Sequence, residues 1–156
     1  MRPQKPMGES TAILSQVMMP KDASHYGNIH GGAIMKLIDE VAFVAASRHS
    51  RRNVVTASID SLSFKNPVHI GDVVILKAQI TYVGTTSMEI EVNVTTERLK
   101  TGEILPVATA YLTMVALDEK GHPVEVPQLV PQTEEERRKY EEGKLRREER
   151  LKRIRN

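Results

Sequence analysis

The chain has no cysteine and no tryptophan, and its aromatic residues are limited to four tyrosines and two phenylalanines. The first absence excludes disulfides, thiolate metal sites and cysteine nucleophiles together. The scarcity of rings speaks against a module that stacks nucleic-acid bases. Charge of one sign is lacking as well: the net charge is +2 over 156 residues. Residues 133–156 hold ten basic and seven acidic side chains, whereas residues 1–132 hold twelve and thirteen, so the body is nearly neutral and carries no nucleic-acid footprint. The opening "MRPQKPMGES" has no apolar signal core. The oiliest run, Ala33 to Ala46, is interrupted by Lys36, Asp39 and Glu40 and falls short of the ~20 residues a spanning helix needs. No nucleophile elbow, phosphate loop or dinucleotide fingerprint occurs. His25, His69 and His122 are scattered in turns, which argues against a histidine metal site. These absences describe a soluble cytoplasmic protein of one domain, without metal and without membrane insertion.

What is present is a change of period. Residues 1–9 read as a flexible start, and Ser10–Met19 as a short first strand before Pro20. Ala33, Ile34, Leu37, Ile38, Val41, Val44 and Ala45 then recur at helical spacing, with Met35, Ala42, Phe43 and Ala46 filling most other directions. Such a helix is expected to be buried on nearly all sides. Arg48 and His49 suit its negative end. From Asn53 the period becomes two: strands are expected over Asn53–Phe64, Val73–Tyr82, Ser87–Glu97 and Val107–Leu117, with turns at Gly71-Asp72, Gly84-Thr85 and "LKTGEILP". In the third of these, Met88, Ile90, Val92 and Val94 share one face, and Glu89, Glu91 and Asn93 the other. Short links imply antiparallel pairing, and one sheet over one greasy helix is an α+β plan. The tail, residues 133–156, has a capping box in Thr133 and Glu136 and five Glu-to-Lys/Arg pairs four apart, from Glu134–Arg138 to Glu149–Arg153. It reads as a solvated helix weakened by Gly143, or as one that docks on a neighbouring subunit or an anionic ligand.

The segment "YGNIHGGAIMKLIDEVAFVAASRH" contains an anomaly. Glycine weakens a helix and a carboxylate in an apolar wall costs more, yet Gly31, Gly32 and Asp39 all stand in it. The glycines serve either a loop-to-helix joint or the close approach of a ligand to free N–H groups of the first turn. Asp39 falls on the stripe of Gly32, Met35 and Phe43, where it is either a structural ion-pair member, with Lys36 in reach, or a base or nucleophile facing a carbonyl polarised by those N–H groups. A polar Asn28 lies just upstream. His30 is either a proton donor or a residue bonded to nearby backbone.

"NIHGGAIMKLIDEVAFVAASRH", "VVTASIDSLSFKNPVHIGD", "GTTSMEIEV" and "VPQLVPQTEEERRKYEEGK" resemble the hotdog-fold acyl-CoA thioesterases, specifically their acyl-CoA hydrolase group, from about Ser10 to Lys144. The resemblance implies an antiparallel sheet wrapped around a long central helix over residues 10–132, followed by the charged helical tail. It implies hydrolysis of acyl-CoA, of medium to long chain, to free acid and CoA, with no metal or other cofactor and coenzyme A entering only as part of substrate and product. It makes Asn28 and Asp39 the catalytic pair, contributed by different subunits of a dimer, and a homohexameric trimer of dimers the expected assembly. The backbone of Gly31 and Gly32 would hold the thioester oxygen. Candidates for CoA contacts are Val55, Thr56 and Ser58, the turn Gly84, Thr85, Thr86 and Ser87, and Arg48 among the arginines near the helix end. The rival readings are a module that binds acyl-CoA without cleaving it and a hydratase or dehydratase on the same fold.

Overall fold

The structure is a computed structural model and describes residues 2–60 and 62–155. Strands β1 (Gln4–Pro6) and β2 (Ala12–Val17) precede helix α1 (Gly31–Ser50). Strands β3 (Asn53–Ile59), β4 (Val73–Val83), β5 (Ser87–Arg98), β6 (Glu103–Leu117) and β7 (Gln128–Val130) follow, and helix α2 (Glu134–Arg155) ends the chain. Five strands form one antiparallel sheet in the order β2-β4-β5-β6-β3. Short hairpins force β4, β5 and β6 to be neighbours, whereas α1 lies between β2 and β3 in sequence and sends them to opposite edges. This is the hotdog arrangement expected from the sequence: a sheet curled around a long helix.

The concave face carries Leu76, Ile80, Met88, Ile90, Val92, Leu112 and Met114, all buried against α1. The helix answers with Ile34, Leu37, Ile38, Val41, Ala42, Ala45 and Ala46. Each large aliphatic side chain buried there contributes about 1.5–3 kcal/mol. The opposite side of α1 departs from expectation. Met35, Phe43 and Val44 are 42%, 49% and 37% exposed in the single chain, because a helix on one sheet can hide only one stripe. That open stripe continues onto the edge strand β3, where Val55 and Ile59 are also exposed.

The expected strand 53–64 ends at Ile59. Asp60 N–H still reaches the Tyr111 carbonyl and Lys65 N–H reaches Val107, but Leu62 to Phe64 lie off the sheet. The last long strand starts earlier than expected, at Glu103 rather than Val107. Pro106 is tolerated because β3 stops pairing at Leu112, so the missing N–H faces no partner strand.

The first residues are not a frayed start. β1 pairs in parallel with β7, the Arg2 guanidinium bonds the carbonyls of Val126 and Gly84, and Met7 is fully buried. His49 is also buried rather than charged at the helix end. Its Nε2–H donates to the Pro127 carbonyl at 2.8 Å, and desolvation pushes its pKa below the ordinary histidine value.

The tail helix lies on the convex face of its own sheet. Thr133 caps it through the Glu136 N–H, as the sequence indicates, but the helix is not simply solvated. Arg146 forms a two-pronged pair with Glu89 at 3.0 and 2.8 Å, Arg150 bridges Glu89 and Asp60, and Lys139 reaches Glu91 and Gln79. Glu89 and Glu91, on the face of β5 opposite Met88 and Ile90, are therefore buried. Of the five expected helix-surface pairs, Glu135–Lys139 alone occurs among the described residues; Arg146 turns to the sheet and Arg138 pairs with Glu142. Gly143 is the contact point: a Cβ there would come within 2.9 Å of Tyr82 Cβ and Glu89 Oε1. Arg146 also lies 3.8 Å over the Tyr111 ring, and Tyr140 packs on Tyr82. Burial, helped by Glu91, pushes the Tyr111 phenol up to about 12.

Candidate active site

Helix α1 begins where His30, in extended backbone, turns the chain and caps it. Its Nδ1 accepts the Gly32 N–H at 3.1 Å, and its carbonyl accepts from Ala33. An accepting Nδ1 places the ring proton on Nε2. His30 is thus bonded to nearby backbone, one of the two roles open to it in the sequence. The cap also divides the two glycines. The Gly32 N–H is taken, whereas the Gly31 N–H has no acceptor among the described residues. A free N–H at the positive end of a 20-residue helix suits a partly negative oxygen.

Asn28 stands just before this turn, exposed, in a short bridge with His69. The loop behind it is fixed by buried Asp72, which accepts the His69 N–H at 2.9 Å, the Thr96 hydroxyl at 3.1 Å and the Arg98 guanidinium. Arg98 also bonds the Pro67 carbonyl. A buried ion pair this well hydrogen-bonded holds the loop in one place, and with it the Asn28 backbone.

Asp39 lies two turns along α1, on its open face, and is half-buried. It is not one of the ion pairs among the described residues, so Lys36 is not its partner. Thr56 Oγ1 donates to Asp39 Oδ1 at 2.7 Å. Thr56, expected as a CoA contact, is directed at the carboxylate. The eight residue steps from Gly31 to Asp39 span about 12 Å of helix. One chain therefore does not bring Asn28 and Gly31 onto its own Asp39.

The other expected contacts separate. Val55 and Ser58 are exposed on β3, on either side of a bulge between Thr56 and Ser58. Ser87 shares a row with Val55 across Val115 of β6, so the turn Gly84–Ser87 lies two strands from the edge. That turn is built from its own bonds. Gly84 N–H reaches the Ser87 carbonyl, and the carbonyls of Thr85 and Thr86 accept from Val126 and Ala116. Its cations come from places the sequence reading did not single out: Arg2 bonds the Gly84 carbonyl, and Arg147 of α2 bonds the Ser87 hydroxyl and lies against Gly84. Nothing in the spacing of the tail shows this, because it depends on α2 folding back over the sheet. Arg48 is occupied otherwise, donating to the Thr11 carbonyl at 2.8 Å and tying the end of α1 to the start of β2.

Between the first turn of α1 and the off-sheet segment lies a cavity of about 190 Å³ with Asn28 at its rim and Phe64 on one side. No helix among the described residues is long and apolar enough to cross a membrane.

Residues 26–103 match the thioesterase superfamily. The chain is 46% identical over 128 residues to the uncharacterized acyl-CoA thioester hydrolase YkhA of Bacillus subtilis, covering 82% of this chain and 74% of that one. It is 40% identical over 137 residues to the cytosolic acyl coenzyme A thioester hydrolase of Rattus norvegicus, covering 86% of this chain but only 36% of the rat protein. Among solved structures, an apo-hexameric acyl-CoA thioesterase superposes with a TM-score of 0.93 at 44% identity, over 97% of both chains. An acyl-CoA hydrolase from Staphylococcus aureus, in complex with butyryl coenzyme A, coenzyme A and coenzyme A disulfide, superposes with a TM-score of 0.90 at 36% identity, over 97% of this chain and 93% of that one.

Proposed function

The chain belongs to the thioesterase superfamily, and from that premise we propose that it hydrolyses acyl-CoA of medium to long chain with Asp39 and Asn28 as its catalytic pair. One observation carries this reading. A carboxylate outside the ion pairs of the described residues is oriented by a single hydroxyl on the uncovered helix face, on the stripe between Met35 and Phe43. A purely structural aspartate gains nothing from that position, whereas a base or nucleophile needs it.

The open stripe of Met35, Phe43 and Val44, with the free edge of β3, supports a second copy packing there and closing the site. Two-fold packing would set Asn28 and Gly31 of one protomer over Asp39 of the other, bridging the ~12 Å that separates them within one chain. The thioester oxygen would accept the Gly31 N–H. Loss of such a donor typically costs about 3–4 kcal/mol of transition-state stabilisation. Asp39 either takes a proton from water as the water oxygen attacks the carbonyl carbon, or attacks that carbon itself to give an anhydride that water then opens. In both routes the C–S bond breaks, the CoA thiolate leaves and is protonated, and the acid is released. Asn28 positions the water or the carbonyl. The Gly84–Ser87 turn, with Arg2 and Arg147 beside it, is the best-supported phosphate contact, and Val55 and Ser58 line the way from it. The assembly proposed is a homohexamer built from three such dimers, consistent with the hexameric relative, and the proposed compartment is the cytoplasm, in keeping with the cytosolic rat relative.

The test is a free-thiol assay over a panel of acyl-CoAs with Asp39→Asn. Turnover is expected to be lost while the circular dichroism spectrum and CoA binding persist; near-wild-type turnover would exclude Asp39. Mixing Asn28→Ala with Asp39→Asn subunits is expected to restore activity through one intact hybrid site. No recovery, with subunit exchange demonstrated, would exclude the shared site.

A further inference from the structure

The cavity beside Asn28 has one soft wall. Its floor is Ile29, Ile34 and Val68, at most 9% exposed and locked into the core. Asn28 and Asn66 supply polar groups, and Asn66 is itself held by the Pro106 carbonyl at 2.8 Å. The remaining side is Phe64, 46% exposed on the segment that leaves the sheet after Ile59. Its ring edge lies 3.5 Å from where a Cβ on Gly31 would be, so it stands directly beside the backbone whose N–H lacks an acceptor. A group entering this hollow would carry its first atoms past that N–H and its later atoms into an apolar recess.

We infer that this recess receives the acyl chain and that Phe64 sets the length it accepts. The inference rests on the thioesterase reading and narrows it. A cavity of 150 Å³ accommodates the six carbons of benzene, so 190 Å³ corresponds to about six to eight carbons. The floor cannot yield without disturbing core packing, because each of its side chains belongs to the hydrophobic core cluster. Phe64 can change at little cost to the fold. It is therefore a specificity-determining residue that lines the path of the acyl chain from the Gly31 N–H into the recess.

The test is kcat/KM over even-numbered saturated acyl-CoAs from acetyl to palmitoyl for the wild type, Phe64→Ala and Phe64→Trp. The wild type is expected to peak at about six to eight acyl carbons. Phe64→Ala is expected to move the peak at least two carbons longer and Phe64→Trp at least two shorter. Burial of each added methylene changes the ratio about fourfold, so two shift it about fifteen-fold. Ratios are taken within one preparation, so incomplete folding of a variant cancels. Peaks at the same length in all three proteins would overturn the inference while leaving the thioesterase reading standing. Hydrolysis of none of the series by the wild type would remove that reading, and the acyl recess with it.

Discussion

Thr56 and Asp39, seventeen positions apart, meet at 2.7 Å, the strand hydroxyl donating to the helix carboxylate. The bond fixes one carboxylate oxygen and leaves the other without a hydrogen-bond partner among the described residues. It also makes β3 part of the proposed catalytic arrangement, since that edge strand sets where Asp39 points.

Replacing Thr56 by Val, which keeps the branched shape, is therefore expected to lower kcat about 10- to 100-fold, the worth of a hydrogen bond to a charged group of about 1.5–3 kcal/mol. KM should change little, and Thr56→Ser should recover much of the loss. A rise in KM at constant kcat would return Thr56 to the role of a CoA contact. Steady-state kinetics on one acyl-CoA separates the two.

Gly143→Ala offers a contest between local and tertiary preference. Alanine improves an exposed helix interior by about 1 kcal/mol. At this position the added carbon meets Tyr82 Cβ at 2.9 Å, an atom close to backbone with little room to retreat. Overpacking of this kind costs about 1–3 kcal/mol, so the melting temperature is expected to fall. A rise would mean that α2 stands off the sheet.

Arg146→Ala removes both prongs from Glu89, whose side chain is 1% exposed. Stranding a buried charge costs about 3–5 kcal/mol, and the remaining contact from Arg150 at 3.3 Å offsets part of that. A loss of about 2–3 kcal/mol in urea unfolding is expected. The pair Arg146→Met with Glu89→Leu should recover most of it, since removing both charges removes the stranded one.

His49 gives stability a pH dependence. Its folded pKa is depressed by burial, so its contribution is fully present above the unfolded value of about 6.5. As pH falls below that, the unfolded chain takes up the proton first, and the contribution is lost as pH falls through the lower folded value. His49→Gln is expected to flatten this acid limb in denaturant titrations run between neutral and mildly acid pH.

The legible parts of the chain were those governed by period and punctuation. The central helix, the β4–β5–β6 meander and the Thr133 cap follow from spacing and turn residues alone, and the HGG-to-Asp39 pattern marked the candidate site. What escaped depended on distant pairings. Glu89 and Glu91 alternate like solvent-facing strand residues, and only the arrival of Arg146 and Lys139, some fifty residues on, makes them interior. Gly143 looked like a flaw in a helix because the surface it fits lies on another element. Phe64 was read as the end of a strand, since nothing local signals that the chain leaves β6 after Ile59. Thr56 and Asp39 were each noticed, but their contact needs the sheet to curl around the helix.

The pairing of β1 with β7, directly ahead of α2, means that the two extremities of the described chain share one anchorage. Trimming the first ten residues would withdraw Met7 from the core and the Arg2 tether from the Gly84 turn, and so loosen the platform from which the last helix departs. A chimaera that exchanges only the tail between relatives would inherit a mismatched socket; the leading segment has to travel with it.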